Sequence, residues 1–206
     1  MDQKKKIIEN SLEMFFQKGC KVVTMDDIAK ENGVSKRTLY ELFTDKSHLL
    51  EECLRHLYNR MTEHVSNYKG QYDNVIDAMF RMHNEHSDNL MDLNKKFFEE
   101  LKRYYYVVYK KAIVYFLEFH RSMSHDFLVR GQNEGLIRDD INKELVTKVL
   151  IEISNVMENA EFFSLKEYSR KELFREVVLS YVRGLCTDKG IEMIDNNLAE
   201  LNKQGK

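Results

Sequence analysis

Proline is absent from all 206 residues, tryptophan is absent, and glycine occurs only 8 times. The residues that most often break or turn a chain are therefore scarce, which disfavours tightly turned sheet architectures and favours helices. Cysteine occurs three times, at Cys20, Cys53 and Cys186, with no C-x-x-C pair. That excludes a disulfide framework and a cysteine-based metal site and suits buried thiols in a reducing cytoplasm. Charge of one sign is also missing: 32 Lys and Arg stand against 34 Asp and Glu, for a net −2. No overall basic field announces a polyanion, so any nucleic-acid binding must rest on where the charges sit. The longest apolar run, residues 104–117, is broken by Lys110 and Lys111 and is too short to span a bilayer. After Lys4, Lys5 and Lys6 no signal-peptide apolar region follows, so a soluble cytoplasmic protein without a membrane partner is expected.

What the chain does have is apolar residues at steps of three and four, with no alternating runs; this predicts an all-α protein of about nine helices. Ile8, Leu12, Phe15 and Phe16 stripe a first helix that Gly19 ends. Thr24 caps a second, with Asp27 reaching back in a capping box, and Asn32 and Gly33 stop it. Ser35 caps a third over Lys36–Phe43, and Thr44 or Asp45 caps a long fourth with Leu49, Leu50, Cys53, Leu54, Leu57, Tyr58 and Met61 on one face. Further helices are expected over Val75–His83, over 90–103, in a long stretch ended by Gly131 and Gly135, along Leu145, Val149, Ile153, Val156, Ala160 and Phe163, and along Phe174, Val178, Tyr181 and Leu185. The tail from Asn196 reads as polar and frayed.

The stretch that carries chemistry is TMDDIAKENGVSKRTLYELFTDK, Thr24 to Lys46. Two short helices joined by a tight turn need a small residue on the first helix and a left-handed turn residue four positions later. Ala29 and Gly33 meet both needs, and Ile28, Val34, Leu39 and Leu42 lock the pair. The result is a helix-turn-helix whose second helix opens with Lys36, Arg37 and Thr38, donors of the kind that meet base edges in the major groove. Tyr40 lies one turn on and can offer a hydroxyl to a phosphate, while Lys46 adds charge near the amides opening the fourth helix. Residues 1–46 hold nine Lys and Arg against eight Asp and Glu, so placement decides.

On these residues the chain resembles the TetR family of transcriptional regulators, whose N-terminal signature reads much like TMDDIAKENGVSKRTLYELFTDKSHLL preceded by IIENSLEMFFQKGC. Weaker likeness covers FFEELKRYYYVVYKKA and GLIRDDINKELVTKVLIEI. The resemblance implies a homodimer with a three-helix DNA-binding head, residues 1–48, and a helical ligand-binding and dimerising bundle, residues 49–206. It implies DNA contacts at Thr24, Lys36, Thr38, Tyr40 and Lys46, to which Ser35 and Arg37 are added by position. Arg37 replaces the small residue many members carry, and Leu42 replaces a His or Tyr able to bond phosphate. The family often has proline near Tyr106; its absence leaves open whether the sixth and seventh helices are separate.

Other chemistries fit poorly. A di-iron bundle needs Glu-x-x-His pairs, and none of the seven histidines has a glutamate three residues before it. His83 and His86 share a face but lack a further spaced ligand pair, so no metal and no cofactor are expected. No nucleophile, glycine-rich phosphate loop or acid-base dyad is visible, so the protein is not read as an enzyme. Met61, Met79, Met82, Phe97, Tyr104, Tyr105 and Phe116 are the candidate walls for a small-molecule effector. Val149, Ile153, Val156, Ala160, Val178, Tyr181 and Leu185 are the candidate dimer interface. The function expected is a repressor whose dimer binds a palindromic double-stranded operator and is released by an effector. The alternatives are a non-specific architectural DNA binder and a helical interaction protein without an effector.

Overall fold

A computed structural model describes residues 3–68, 72–85, 95–157, 163–164 and 167–204. The order is α1 (Gln3–Lys18), α2 (Met25–Glu31), α3 (Lys36–Leu42), α4 (Lys46–Tyr68), α5 (Val75–Glu85), α6 (Lys95–Tyr104), α7 (Tyr106–Asn133) and α8 (Lys143–Met157). Then α9 (Arg170–Leu173) passes through a π-helical stretch, Phe174–Leu179, into α10 (Ser180–Leu185), and α11 (Asp188–Gln204) follows. Among the described residues there is no strand, only one isolated antiparallel bridge between Ile137 and Cys186. The all-helical expectation is met. None of the described helices is long and apolar enough to cross a membrane.

Packing divides the chain into two compact units, Met1–Glu63 with Asp88–Leu117, and His64–Ser87 with Glu118–Lys206. In the first, α1 to α4 close around Phe15, Ile28, Leu39, Phe43, Leu49 and Leu50, all fully buried. Phe97 of α6 enters the same core, its ring 6.3 Å from Phe15 and 5.2 Å from Phe16. Helices α6 and α7 are separate: the chain leaves helical geometry at Tyr105, whose N–H still donates to Leu101 while its carbonyl accepts from Tyr109. No proline is needed for that break.

The second unit centres on Ile76, Phe80, Leu128, Leu136, Ile137, Val182 and Ile194. Gly131 does not end α7, which continues to Asn133; a Cβ at Gly131 would stand 2.3 Å from Ile137 Cγ1, so close packing explains the glycine. Gly135, at φ +70°, makes the turn that follows. The tail expected to fray is instead helical through Gln204, because Ile191, Ile194, Leu198 and Leu201 lay a stripe onto this core. On α8 the inward face is Val146, Thr147 and Leu150, whereas Leu145 is 61% and Val156 45% exposed. Leu145, Val149 and Val156 therefore lie on the exposed side of this helix, opposite Val146 and Leu150. The two helices expected to be last in the chain are followed by α11.

Candidate nucleic-acid interface

The interface candidate is built by local caps. The Thr24 hydroxyl accepts from the Asp27 N–H at 3.2 Å while the Asp27 carboxylate accepts from the Thr24 N–H at 2.9 Å, completing the capping box. The Thr24 hydroxyl, 2.7 Å from the Asp27 carboxylate, and then the Thr24 N–H hold that carboxyl below its ordinary pKa. At the other end of α2, Gly33 takes φ +63°, and the Val34 N–H donates to the Ala29 carbonyl at 3.0 Å. Asn10 of α1 donates to the Asn32 side chain at 2.9 Å, fastening the turn to the helix behind it. Ser35 caps α3 through the Thr38 N–H at 3.0 Å, and Asp45, rather than Thr44, caps α4 through the His48 N–H at 2.8 Å.

With Leu39 fully buried beneath it, α3 turns Lys36, Arg37 and Tyr40 outward. Arg37 is 89% exposed and pairs along the helix with Glu41 at 2.9 Å. Lys36 reaches across the turn to Asp26 at 2.5 Å, and this carboxylate raises the lysine's pKa. Tyr40 is 48% exposed. Both recognition-helix cations thus carry their own carboxylates, which a phosphate or a base edge would have to replace. Arg37 with Glu41 was legible as an i, i+4 pair; Asp26 with Lys36 was not, because nothing local couples positions on different helices.

Lys46, expected to add charge near the amides that open the fourth helix, is the first residue of α4. It is half-buried, its ammonium 3.5 Å from the Lys21 carbonyl and 5.5 Å from the centre of the Tyr105 ring, and desolvation lowers its pKa. A second residue that sequence reasoning missed is Glu100 of α6. Its carboxylate accepts from the Lys21 N–H at 2.8 Å, and a Cβ at Gly19, φ +91°, would meet it at 2.5 Å. Gly19 thus ends α1 as expected and also admits the carboxylate that braces the turn before Thr24.

The expected effector walls fall into two sets. Met61, Phe97, Tyr104, Tyr105 and Phe116 belong to the first unit, with Phe97 inside the core and Tyr104 42% exposed; Met79 and Met82 belong to the second. A surface cleft of about 640 Å³ in the first unit shares only Tyr104 and Tyr105 with them and is otherwise lined by Thr44, Asp45, Ser47, His48, Glu51 and residues 106–108. Of the expected dimer residues, Val149 and Val156 are exposed, Ile153, Val178 and Tyr181 are half-buried, Leu185 is buried in its own unit's core, and Ala160 lies outside the described residues. Leu185 therefore has little surface to offer a partner.

Residues 7–53 match the family described as bacterial regulatory proteins, tetR family. The uncharacterized HTH-type transcriptional regulator YvaF of Bacillus subtilis (strain 168) is 24% identical over 90% of this chain and 96% of its own. The biofilm operon icaADBC HTH-type negative transcriptional regulator IcaR of Staphylococcus aureus is 36% identical over 38% of this chain and 42% of that protein. A crystal structure from Mesorhizobium loti MAFF303099, put forward as a TetR-family transcriptional regulator, shares the fold at a TM-score of 0.66 with 18% identity, over 96% of this chain and 95% of that one. The capped helix-turn-helix lies within the residues that match the tetR family of bacterial regulatory proteins, and the helical fold around it is the one shared with the solved structure from Mesorhizobium loti.

Proposed function

We propose that this protein is a homodimeric repressor, with residues 1–48 as the DNA-binding head and residues 49–206 as the effector-binding and dimerising body. Paired α3 helices enter successive major grooves of a near-palindromic operator, since a two-fold protein imposes a two-fold site. The observation that carries this reading is the display of Lys36, Arg37 and Tyr40 on the open side of a helix whose ends are fixed by Ser35 and by the buried Leu39 and Phe43. Thr24, Ser35 and Thr38 bring hydroxyls to the same end for phosphate oxygens. The staphylococcal relative is named a negative regulator, which favours repression here.

For the dimer, the support is the outward apolar stripe of α8, where Leu145, Val149 and Val156 are exposed on a helix whose opposite face is already packed. A second copy covering that stripe would make a helical bundle across the two-fold axis. A small-molecule effector in the body would favour an arrangement with misaligned heads. A preference of about 3 kcal/mol would weaken operator binding on the order of a hundredfold.

Selection of bound DNA from a random duplex pool by the full chain tests the reading. The expected winner is a two-fold symmetric motif, with Arg37→Ala relaxing preference at one symmetric pair of positions and a dimer mass in solution. Sequence-indifferent binding would favour an architectural DNA binder instead.

A further inference from the structure

The segment KRYYYVVYKK, residues 102–111, holds four basic residues and no acidic one in a chain whose net charge is −2. It forms the end of α6 and the start of α7, within the same compact unit as the helix-turn-helix. Three of its cations lie over tyrosine rings rather than against carboxylates, whereas Lys111 pairs with Glu51 at 2.6 Å. Arg103 stands 5.5 Å from the Tyr104 centroid, Lys110 5.4 Å from Tyr106 and Lys102 5.9 Å from Tyr109. Lys21, three residues before Thr24, also stands over Tyr104, 4.8 Å from its centroid. All four are exposed, and among the described residues none of them makes an ion pair, unlike Lys36 and Arg37. A cation held by a ring quadrupole keeps its full charge toward solvent, so this shoulder is a fixed, unneutralised positive surface.

We propose that Lys21, Lys102, Arg103 and Lys110 form a second DNA-contacting surface that takes the phosphate backbone of duplex flanking the recognition site. Two features favour duplex as the occupant. The charge is complementary to a polyanion, and the surface is continuous with the proposed DNA-binding elements: the surface cleft joins Tyr104, Tyr105 and Tyr106 to Thr44, Asp45 and Ser47, where α3 hands over to α4. The contact supplies affinity and salt dependence without reading bases, because phosphates look alike in every sequence. The inference rests on the DNA-binding reading above.

The test is the salt dependence of binding by the full chain to two labelled duplexes, the pool-selected sequence with flanks and its scrambled counterpart, compared with the triple variant Lys102→Ala, Arg103→Ala, Lys110→Ala. Melting by circular dichroism confirms that the variant folds, and Lys102→Gln with Lys110→Gln repeats the test with side-chain length kept. Removing three phosphate contacts from each protomer, six from the proposed dimer, should flatten the plot of log affinity against log salt by about 0.9 per contact, so that between 50 and 200 mM salt the parent loses on the order of a thousandfold more affinity than the variant. Both duplexes should weaken alike, and the selected motif should not change. An unchanged slope in a parent that binds overturns the second surface and leaves the helix-turn-helix reading standing. A parent that binds neither duplex overturns both. Preferential binding of single strands through the exposed tyrosines, lost on Tyr106→Ala, overturns the duplex assignment.

Discussion

The caps of the helix-turn-helix differ in kind from the ties that close the second unit, although the first unit also has a long-range brace, Glu100 on the Lys21 N–H from 79 residues away. Around the helix-turn-helix the polar links are short in sequence: Thr24 with Asp27, Ser35 with Thr38 and Asp45 with His48 are each three residues apart. In the second unit the chain is tied across long separations. Asn197 donates to Asp77 from 120 residues away, the Val75 N–H donates to Glu134 from 59, and the Thr187 hydroxyl donates to the Gly135 carbonyl from 52. The first pattern makes a small, prefabricated device whose shape is fixed before its surroundings are. The second makes a body that exists only when its distant parts meet, and such a body is hard to read from sequence.

Deletions in the cores should mark the difference most strongly. Phe15→Ala removes a fully buried ring stacked against Phe97 and should cost about 4 kcal/mol in urea denaturation. Amides of α2 and α3 should lose protection from hydrogen exchange first. If α11 opened first instead, the two units would not be distinct in stability. Gly190→Ala strikes the other unit: its Cβ would stand 2.2 Å from the Leu136 carbonyl oxygen. Overpacking against backbone should cost about 3 kcal/mol, more than the roughly 1 kcal/mol of helix propensity gained. Here the amides of α11 should open first.

His83 gives the second unit an acid sensitivity of its own. His83 stacks on Phe174 at 3.8 Å, its Nε2 is buried without a hydrogen-bond partner, and burial, with Lys171 adding repulsion, pushes its pKa down to about 4. Its folded pKa lies below the ordinary 6.5, so the unfolded chain binds the proton more readily. Stability is therefore full above pH 6.5 and falls between there and pH 4, by about 2 kcal/mol once partial exposure is allowed for. His83→Phe should flatten that fall in a pH series of denaturation midpoints. An unchanged slope would assign the sensitivity to other groups.

The same contrast governs what could be read from the residues alone. The caps Thr24, Ser35 and Asp45 and the turn glycines Gly19 and Gly33 were legible because each signal lies within one turn of its effect. Asp26 on Lys36 and Glu100 on the Lys21 amide were not, since their partners are set by how helices pack. On α8, Leu145–Val149–Val156 and Val146–Leu150 are both apolar at helical spacing. Periodicity shows a stripe but not which neighbour it faces, and the inward choice fell to Val146 and Leu150. Helix α11 was hidden because Asn196 and Asn197 dilute a stripe whose pattern starts at Ile191, and because Gly190 is needed against Leu136 rather than as a stop. The direction of Lys46 escaped for a related reason: a lysine at a helix start reads as solvated unless an aromatic such as Tyr105 comes under it from 59 positions along the chain.

The smallest effect should come from the most local contact. Thr24→Ala removes the hydroxyl that accepts from the Asp27 N–H and donates to its carboxylate at 2.7 Å. The loss should be about 1 kcal/mol, and Thr24→Ser, which keeps the cap, should lose little of it. Because the depressed Asp27 pKa depends on those donors, the cap's contribution is present above the ordinary carboxyl value of 3.8 and fades as pH falls below it. Thr24→Ala should reduce that acid dependence along with the stability, the part due to the backbone N–H at position 24 remaining. Exchange protection should drop in α2 and leave α11 untouched, because the box spans three residues and reaches no distant part of the chain. A loss of protection in α11 of equal size would show that this local cap feeds the global fold, and would erase the distinction between a prefabricated head and a body assembled at long range.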